Sequence, residues 1–204
     1  MRMKRIPNIL LITLFLIGIN VANAQKLLDS LVLAQSPIYE SLEEALKEPE
    51  KVYRLHLKKQ KLTEFPKDIL KLTNLQELDL TKNKLKEIPE EISQLTNLQT
   101  LNLSKNQLEL LPSSIGQLKN LKVLIVNQNE LVGLPNTIGD LENLKYLDLW
   151  SNNISYWPEQ LANLKNLKTM DLRVIMINTE KQNYIQSLLP NTKIYFSPDC
   201  KCGG

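Results

Sequence analysis

The chain repeats itself every 23 residues: Val52, Leu75, Leu98, Leu121, Leu144 and Leu167 each open a segment of the form L-x-x-L-x-L-x-x-N-x-L-x-x-L-P-x-x-I-x-x-L-x-N. The clearest copies read LQELDLTKNKLKEIPEEISQLTN and LQTLNLSKNQLELLPSSIGQLKN. A period of this length excludes most architectures, because each unit packs mainly on its two neighbours and the chain grows as a stack. One unit cannot stand alone. Its apolar side chains do not offset the entropy lost in ordering the whole segment. Stacked units supply the missing burial and hydrogen bonds, so the domain is cooperative and its ends need protection.

Each part of the unit dictates a conformation. The L-x-L centre, such as Leu78 with Leu80 or Leu147 with Leu149, alternates apolar and polar and predicts a short strand with one buried and one wet face. The following Asn83, Asn106, Asn129 and Asn152 stand where the chain must turn, and an amide there can bond backbone groups that the turn leaves unpaired. Stacking then predicts an asparagine ladder. Pro66, Pro89, Pro112, Pro135 and Pro158 fix φ and lack an N–H, which rules out a second sheet on this side of the coil. A tight helical turn through Ile69, Ile92, Ile115, Ile138 or Leu161 takes its place.

This motif, over roughly residues 52 to 174, resembles that of the leucine-rich-repeat proteins, and of bacterial members of the secreted type. The resemblance implies an α/β solenoid: a right-handed coil with a parallel β-sheet on its concave face, helical or 3-10 turns on its convex face, and a cap at each end. The expected organisation is a signal peptide at 1–24, an N-terminal helical cap at 25–51, leucine-rich repeats at 52–174 (five full and a partial sixth), and a C-terminal cap with a Cys-containing tail at 175–204. In the first cap, Ser41 followed by Glu44 predicts a helix N-terminus, and Pro49 ends it. In the second, Ile175 stands where Asn belongs, and NTEKQNYIQSLLPNTKIYF reads as a helix followed by a strand.

The N-terminus reads as an address. Arg2, Lys4 and Arg5 precede an apolar run from Ile6 to Val21, and Ala22-Asn23-Ala24 is a small-x-small cleavage site. The run of 16 residues contains Pro7, Gly18 and Asn20, short of the about 20 apolar residues that a spanning helix needs. Cleavage after Ala24 would leave 180 residues, with 22 Lys plus Arg against 22 Asp plus Glu. The +3 of the full chain therefore belongs to the leader, and nothing points to nucleic acid as a partner. No transmembrane span is expected in the mature chain. Cys200 and Cys202 in the tail SPDCKCGG have several open fates: a pair across one residue, a bond to another chain, or none.

Function is to be sought in the residues that do not repeat. Alternation turns Val123, Ile125, Tyr146 and Trp150 outward on two neighbouring strands, flanked by Asp148, Asp171 and Arg173. Tyr, Trp and Arg are frequent interface anchors, so this patch is the expected protein-binding site. Lys59, Lys82 and Lys105, one per repeat after the strand, form a basic stripe that would attract an acidic polysaccharide or anionic lipid. Catalysis is not expected: His56 is the only histidine, and no nucleophile with a partner base, phosphate loop or metal motif occurs. No cofactor or metal is expected either. The expectation is an exported protein, periplasmic, cell-surface or secreted, that binds a protein ligand, with adhesion or host interaction implied by the family. The alternative is an intracellular scaffold for a small GTPase or effector, a form the repeat also resembles.

Overall fold

The structure, a computed structural model, describes residues 27–197. The segment 1–24, expected to be a signal peptide, and the two cysteines lie outside the described residues.

Eight parallel strands form one sheet in chain order: β1 (Ile38–Tyr39), β2 (Arg54–His56), β3 (Glu77–Asp79), β4 (Thr100–Asn102), β5 (Val123–Ile125), β6 (Tyr146–Asp148), β7 (Thr169–Leu172) and β8 (Lys193–Phe196). From β2 to β7 the register offset equals the sequence period, so Leu55, Leu78, Leu101, Leu124, Leu147 and Met170 line up and are fully buried. Chemically similar side chains stack on one another, which is why the period must be kept.

Across the core from the sheet, five 3-10 turns follow the prolines: Lys67–Lys71, Glu90–Gln94, Ser113–Gln117, Asn136–Asp140 and Glu159–Asn163. The spacing I-x-x-L-x-x-L selects this helix over the α form. Residues three apart eclipse in a 3-10 helix, so Ile69, Leu72 and Leu75 share one stripe, with Ile69 N–H bonded to Pro66 O, Leu72 N–H to Ile69 O and Leu75 N–H to Leu72 O, each at 3.0 Å. All three are fully buried. Successive turns approach very closely at Gly139, where an added Cβ would stand 2.2 Å from Gln160 O; only a residue without a side chain fits there.

Two asparagine ladders join the layers. Asn106 Oδ1 accepts from Leu85 N–H (3.1 Å), and its Nδ2 donates to Leu80 O (3.1 Å) and Leu103 O (2.9 Å); Asn83, Asn129 and Asn152 repeat the arrangement. The second ladder is built from the asparagine that closes each 23-residue unit. Asn74, Asn97, Asn120, Asn143 and Asn166 each donate to a carbonyl 24 residues earlier, at 2.7 to 2.9 Å.

The caps close the ends with strands as well as helices. α1 (Ser30–Gln35) starts at Asp29, whose carboxylate accepts from Leu31 and Val32 N–H, and α2 (Leu42–Ala45) starts at Ser41. Between them β1 pairs with β2, a strand that the helical reading of this cap did not contain. At the other end α3 (Thr179–Leu188) is capped by Asn178 and leads into β8, which extends the sheet beyond β7.

Candidate functional site on the concave sheet

The register sorts the outward side chains into two columns. One runs Ile38, Arg54, Glu77, Thr100, Val123, Tyr146, Thr169, Lys193; the other runs His56, Asp79, Asn102, Ile125, Asp148, Asp171, Tyr195. Val123 thus stands beside Tyr146, and Ile125 beside Asp148. Trp150 lies two residues beyond Asp148 on the same run of chain. Val123, Ile125, Tyr146 and Trp150 are all half-buried, with a face turned to solvent.

The N-terminal part of the same face is closed by its own charges. Arg54 grips Glu77 through Nε and Nη2, both at 3.0 Å, while its Nη1 donates to Ala34 O (2.9 Å) and Ser36 O (3.3 Å) in the cap. His56 Nε2 lies 2.5 Å from Glu77 Oε1, and Lys58 Nζ 3.1 Å from Asp79 Oδ2. Burial alone would push the Glu77 carboxyl up; hydrogen bonds from Arg54 and His56 more than offset it and hold it below the ordinary carboxylate value.

Asp148 and Asp171 are buried, at 8% and 5% exposure, and do more than flank the patch. Asp148 Oδ1 accepts from Trp150 N–H (3.0 Å) and its Oδ2 from Asn127 Nδ2 (2.6 Å). Asp171 accepts from Arg173 N–H (3.0 Å) and, at 2.6 Å, from its guanidinium. The same bond to the second residue on recurs from Asp79 to Thr81 and from Asn102 to Ser104. It ends each strand by an Asx turn. Burial would raise the Asp171 carboxyl, yet its bonds from Arg173 keep it low. Tyr146 is pushed up, by burial first and then by the charges of Asp148 and Asp171, so its hydroxyl stays a neutral donor at physiological pH.

Two further residues complete this half. Lys193 and Tyr195 extend the columns on β8, with Arg173 Cζ 5.6 Å and Lys193 Nζ 4.7 Å from the centre of the Tyr195 ring. The signal for them was the alternation of Lys193 and Tyr195 with Ile194 and Phe196.

Lys59, Lys82 and Lys105 are exposed and share a backbone feature, φ of 58°, 59° and 58°. Gln128, Ser151 and Val174 occupy the same left-handed position in later repeats. The left-handed turn recurs whatever the side chain; the lysines occupy only its first three copies.

A profile for the leucine-rich repeat region matches residues 51–193. The chain belongs to the leucine-rich-repeat family. The matched span runs on to the start of β8, in keeping with that strand taking a repeat's place in the sheet. Among solved structures, this leucine-rich-repeat chain is similar to a leucine-rich-repeat protein of Leptospira interrogans, with 31% identity and a TM-score of 0.58, covering 78% of this chain and 54% of that one. It is also similar to internalin C2 of Listeria monocytogenes (26% identity, TM-score 0.62, 74% of this chain and 64% of that one) and to a chain of the BIR3–SERK2 complex of Arabidopsis thaliana (28%, 0.50, 74% and 73%). The chain spans about half the length of the Leptospira protein and less than two thirds of internalin C2. A search of curated proteins gives no significant match. The repeat array is a protein-interaction scaffold in kind. Among the described residues no helix is long and apolar enough to cross a membrane, and no group of three His, Cys, Asp or Glu side chains is placed to hold a metal ion.

Proposed function

We propose that this chain is an exported, non-enzymatic binding protein that holds a protein ligand on the C-terminal half of its concave sheet. The observation that carries the reading is the change of side chains at β5 and β6. Val123, Ile125, Tyr146 and Trp150 stand where earlier strands carry polar groups paired with one another. Apolar and aromatic side chains left half open to water favour a partner that covers them, and Tyr, Trp and Arg are the usual anchors. Asp148 and Asp171 fix the strand ends around these residues, and Arg173 supplies a charged rim. Export rests on the N-terminal pattern of basic, apolar and small residues. Two of the similar structures come from bacteria, and contact with a host or another cell surface is the setting we favour.

The test places a photo-crosslinking residue at Ile125, and in a second protein at Lys71 on the opposite side of the coil. A ligand cross-linked from Ile125 and not from Lys71 supports the site, and the reverse pattern refutes it. Cell fractionation with N-terminal sequencing tests export: a chain starting at Gln25 outside the cytoplasm supports it, and a chain that keeps Met1 and stays in the cytoplasm contradicts it.

A further inference from the structure

Among the described residues β1 and β8 are the outer strands of the sheet, and the parallel frame makes their free edges complementary. Lys193 N–H donates to Lys168 O at 2.9 Å, so alternation turns the backbone N–H and C=O groups of Ile194 and Phe196 away from β7. Ile38 stands in the same column of the register as Lys193, so its N–H points away from β2. The outer edge of β8 offers what β7 offers β8, and the outer edge of β1 offers what β2 offers β1. In a parallel sheet each of these edges fits the other.

A solenoid that ends in water needs polar outer faces on its caps, and these caps keep apolar ones. Met170 and Leu172 on β7 are fully buried, while Ile194 and Phe196, in register with them on β8, are only half-buried. Met176, before α3, is 95% exposed. At the other end Tyr39, Leu42 and Leu46 are half-buried and Ile38 is 44% exposed. Charge sets the two ends apart. Residues 27–51 hold the acids Asp29, Glu40, Glu43, Glu44, Glu48 and Glu50 against Lys47 and Lys51, and both lysines are engaged within the cap by Glu44 and Glu48. Residues 175–197 hold Lys181 and Lys193 against Glu180.

We propose that the C-terminal end of one copy docks on the N-terminal cap of a second copy of this chain, head to tail, so that the parallel sheet continues from β8 of one into β1 of the next. In the sheet's own register Ile38 of the second copy stands beside Lys193, Tyr39 of the second copy covers Ile194, and Glu40 of the second copy lies beside Tyr195 and diagonally across from Lys193. The apolar side chains left half open at each end are then covered, and the acidic cap meets the basic one. Two N-terminal caps meeting would set acid against acid, which disfavours that symmetric pairing. A junction between two different surfaces leaves one of each free, so association runs on past two copies. The junction uses the edges of the sheet and leaves the outward faces of β5 and β6 to the protein ligand proposed above.

The experiment follows the sedimentation of the purified chain up to millimolar concentration, under reducing conditions so that Cys200 and Cys202 form no cross-link. The expected result is a mean mass that rises with concentration beyond that of a dimer. The Glu40→Lys, Glu43→Lys variant and the Lys181→Glu, Lys193→Glu variant should each need about tenfold higher concentration or more, because like charges then face each other across the junction. A variant carrying all four changes exchanges the charges of the two ends and should associate as wild type does. A wild type that stays monomeric or stops at a dimer, either end variant associating as wild type does, or a combined variant that fails to regain association would overturn the proposal. All four side chains are exposed, and circular dichroism checks that each variant is folded.

Discussion

The two halves of the concave sheet share one backbone and carry opposite kinds of side chain. On β2 and β3, Arg54, His56 and Lys58 are engaged with Glu77 and Asp79, and Arg54 also ties down the N-terminal cap. On β5 and β6 the same positions hold Val123, Ile125 and Tyr146. A charge that faces its partner across a strand is already satisfied, and a ligand would have to break that pairing to bind it. An apolar side chain in the equivalent place gains only by being covered. The first half secures the end of the solenoid, and the second is the half on which we propose a ligand binds.

Features common to both halves calibrate the comparison. Asn83→Ala and Asn152→Ala each strand several buried backbone groups. Each should cost about 3 kcal/mol in urea unfolding, and a cost confined to one half would mean that the halves differ in more than their outward side chains.

Much of this was legible before the fold was seen, because the decisive residues act through the backbone. Proline before each 3-10 turn of the repeats and asparagine after β3 to β6 dictate local conformation wherever they stand. What alternation missed were bonds made out of the alternating frame. Asp148 and Asp171 sit at outward positions, yet their carboxylates bend back to the second N–H along the chain. Gln76 and Gln99 read as ordinary polar residues, and their burial depends on Leu28, far away in sequence. Strand β8 lies 24 residues after β7 at the pairing of Thr169 with Lys193, one more than the period, so counting by 23 loses Lys193 and Tyr195.

Glu77→Ala sharpens the contrast. It leaves Arg54 and His56 without their anion in a mostly buried place and should cost about 2 kcal/mol. Tyr146→Ala, at a site left half open, should cost about half that. Equal losses would remove the distinction between a sealed and an open half.

Acid should erode the first half. The Glu77 carboxyl is held below its ordinary value, so its pairing stabilises the fold fully above that value and the contribution disappears as pH falls through the lower, folded one. The stability advantage of wild type over Glu77→Gln should therefore shrink as pH falls below the ordinary value of 4.5 and through the lower, folded one. An advantage that grows in acid would contradict the assignment. The smallest effect is expected at the far end, where Val174 holds a φ of 59°. Val174→Gly should stabilise the protein by about 1 kcal/mol, since a β-branched side chain is strained in the left-handed region.

The division of the sheet is tested most directly by one binding comparison. A ligand captured by the wild-type chain is titrated against the Tyr146→Ala, Trp150→Ala variant and against Glu77→Gln, each checked to be folded. The account predicts an affinity loss of about 100-fold or more for the first, the scale of interface anchors, and wild-type affinity for the second. Loss with Glu77→Gln and retention by the double variant would place the ligand on the other half of the sheet and contradict it.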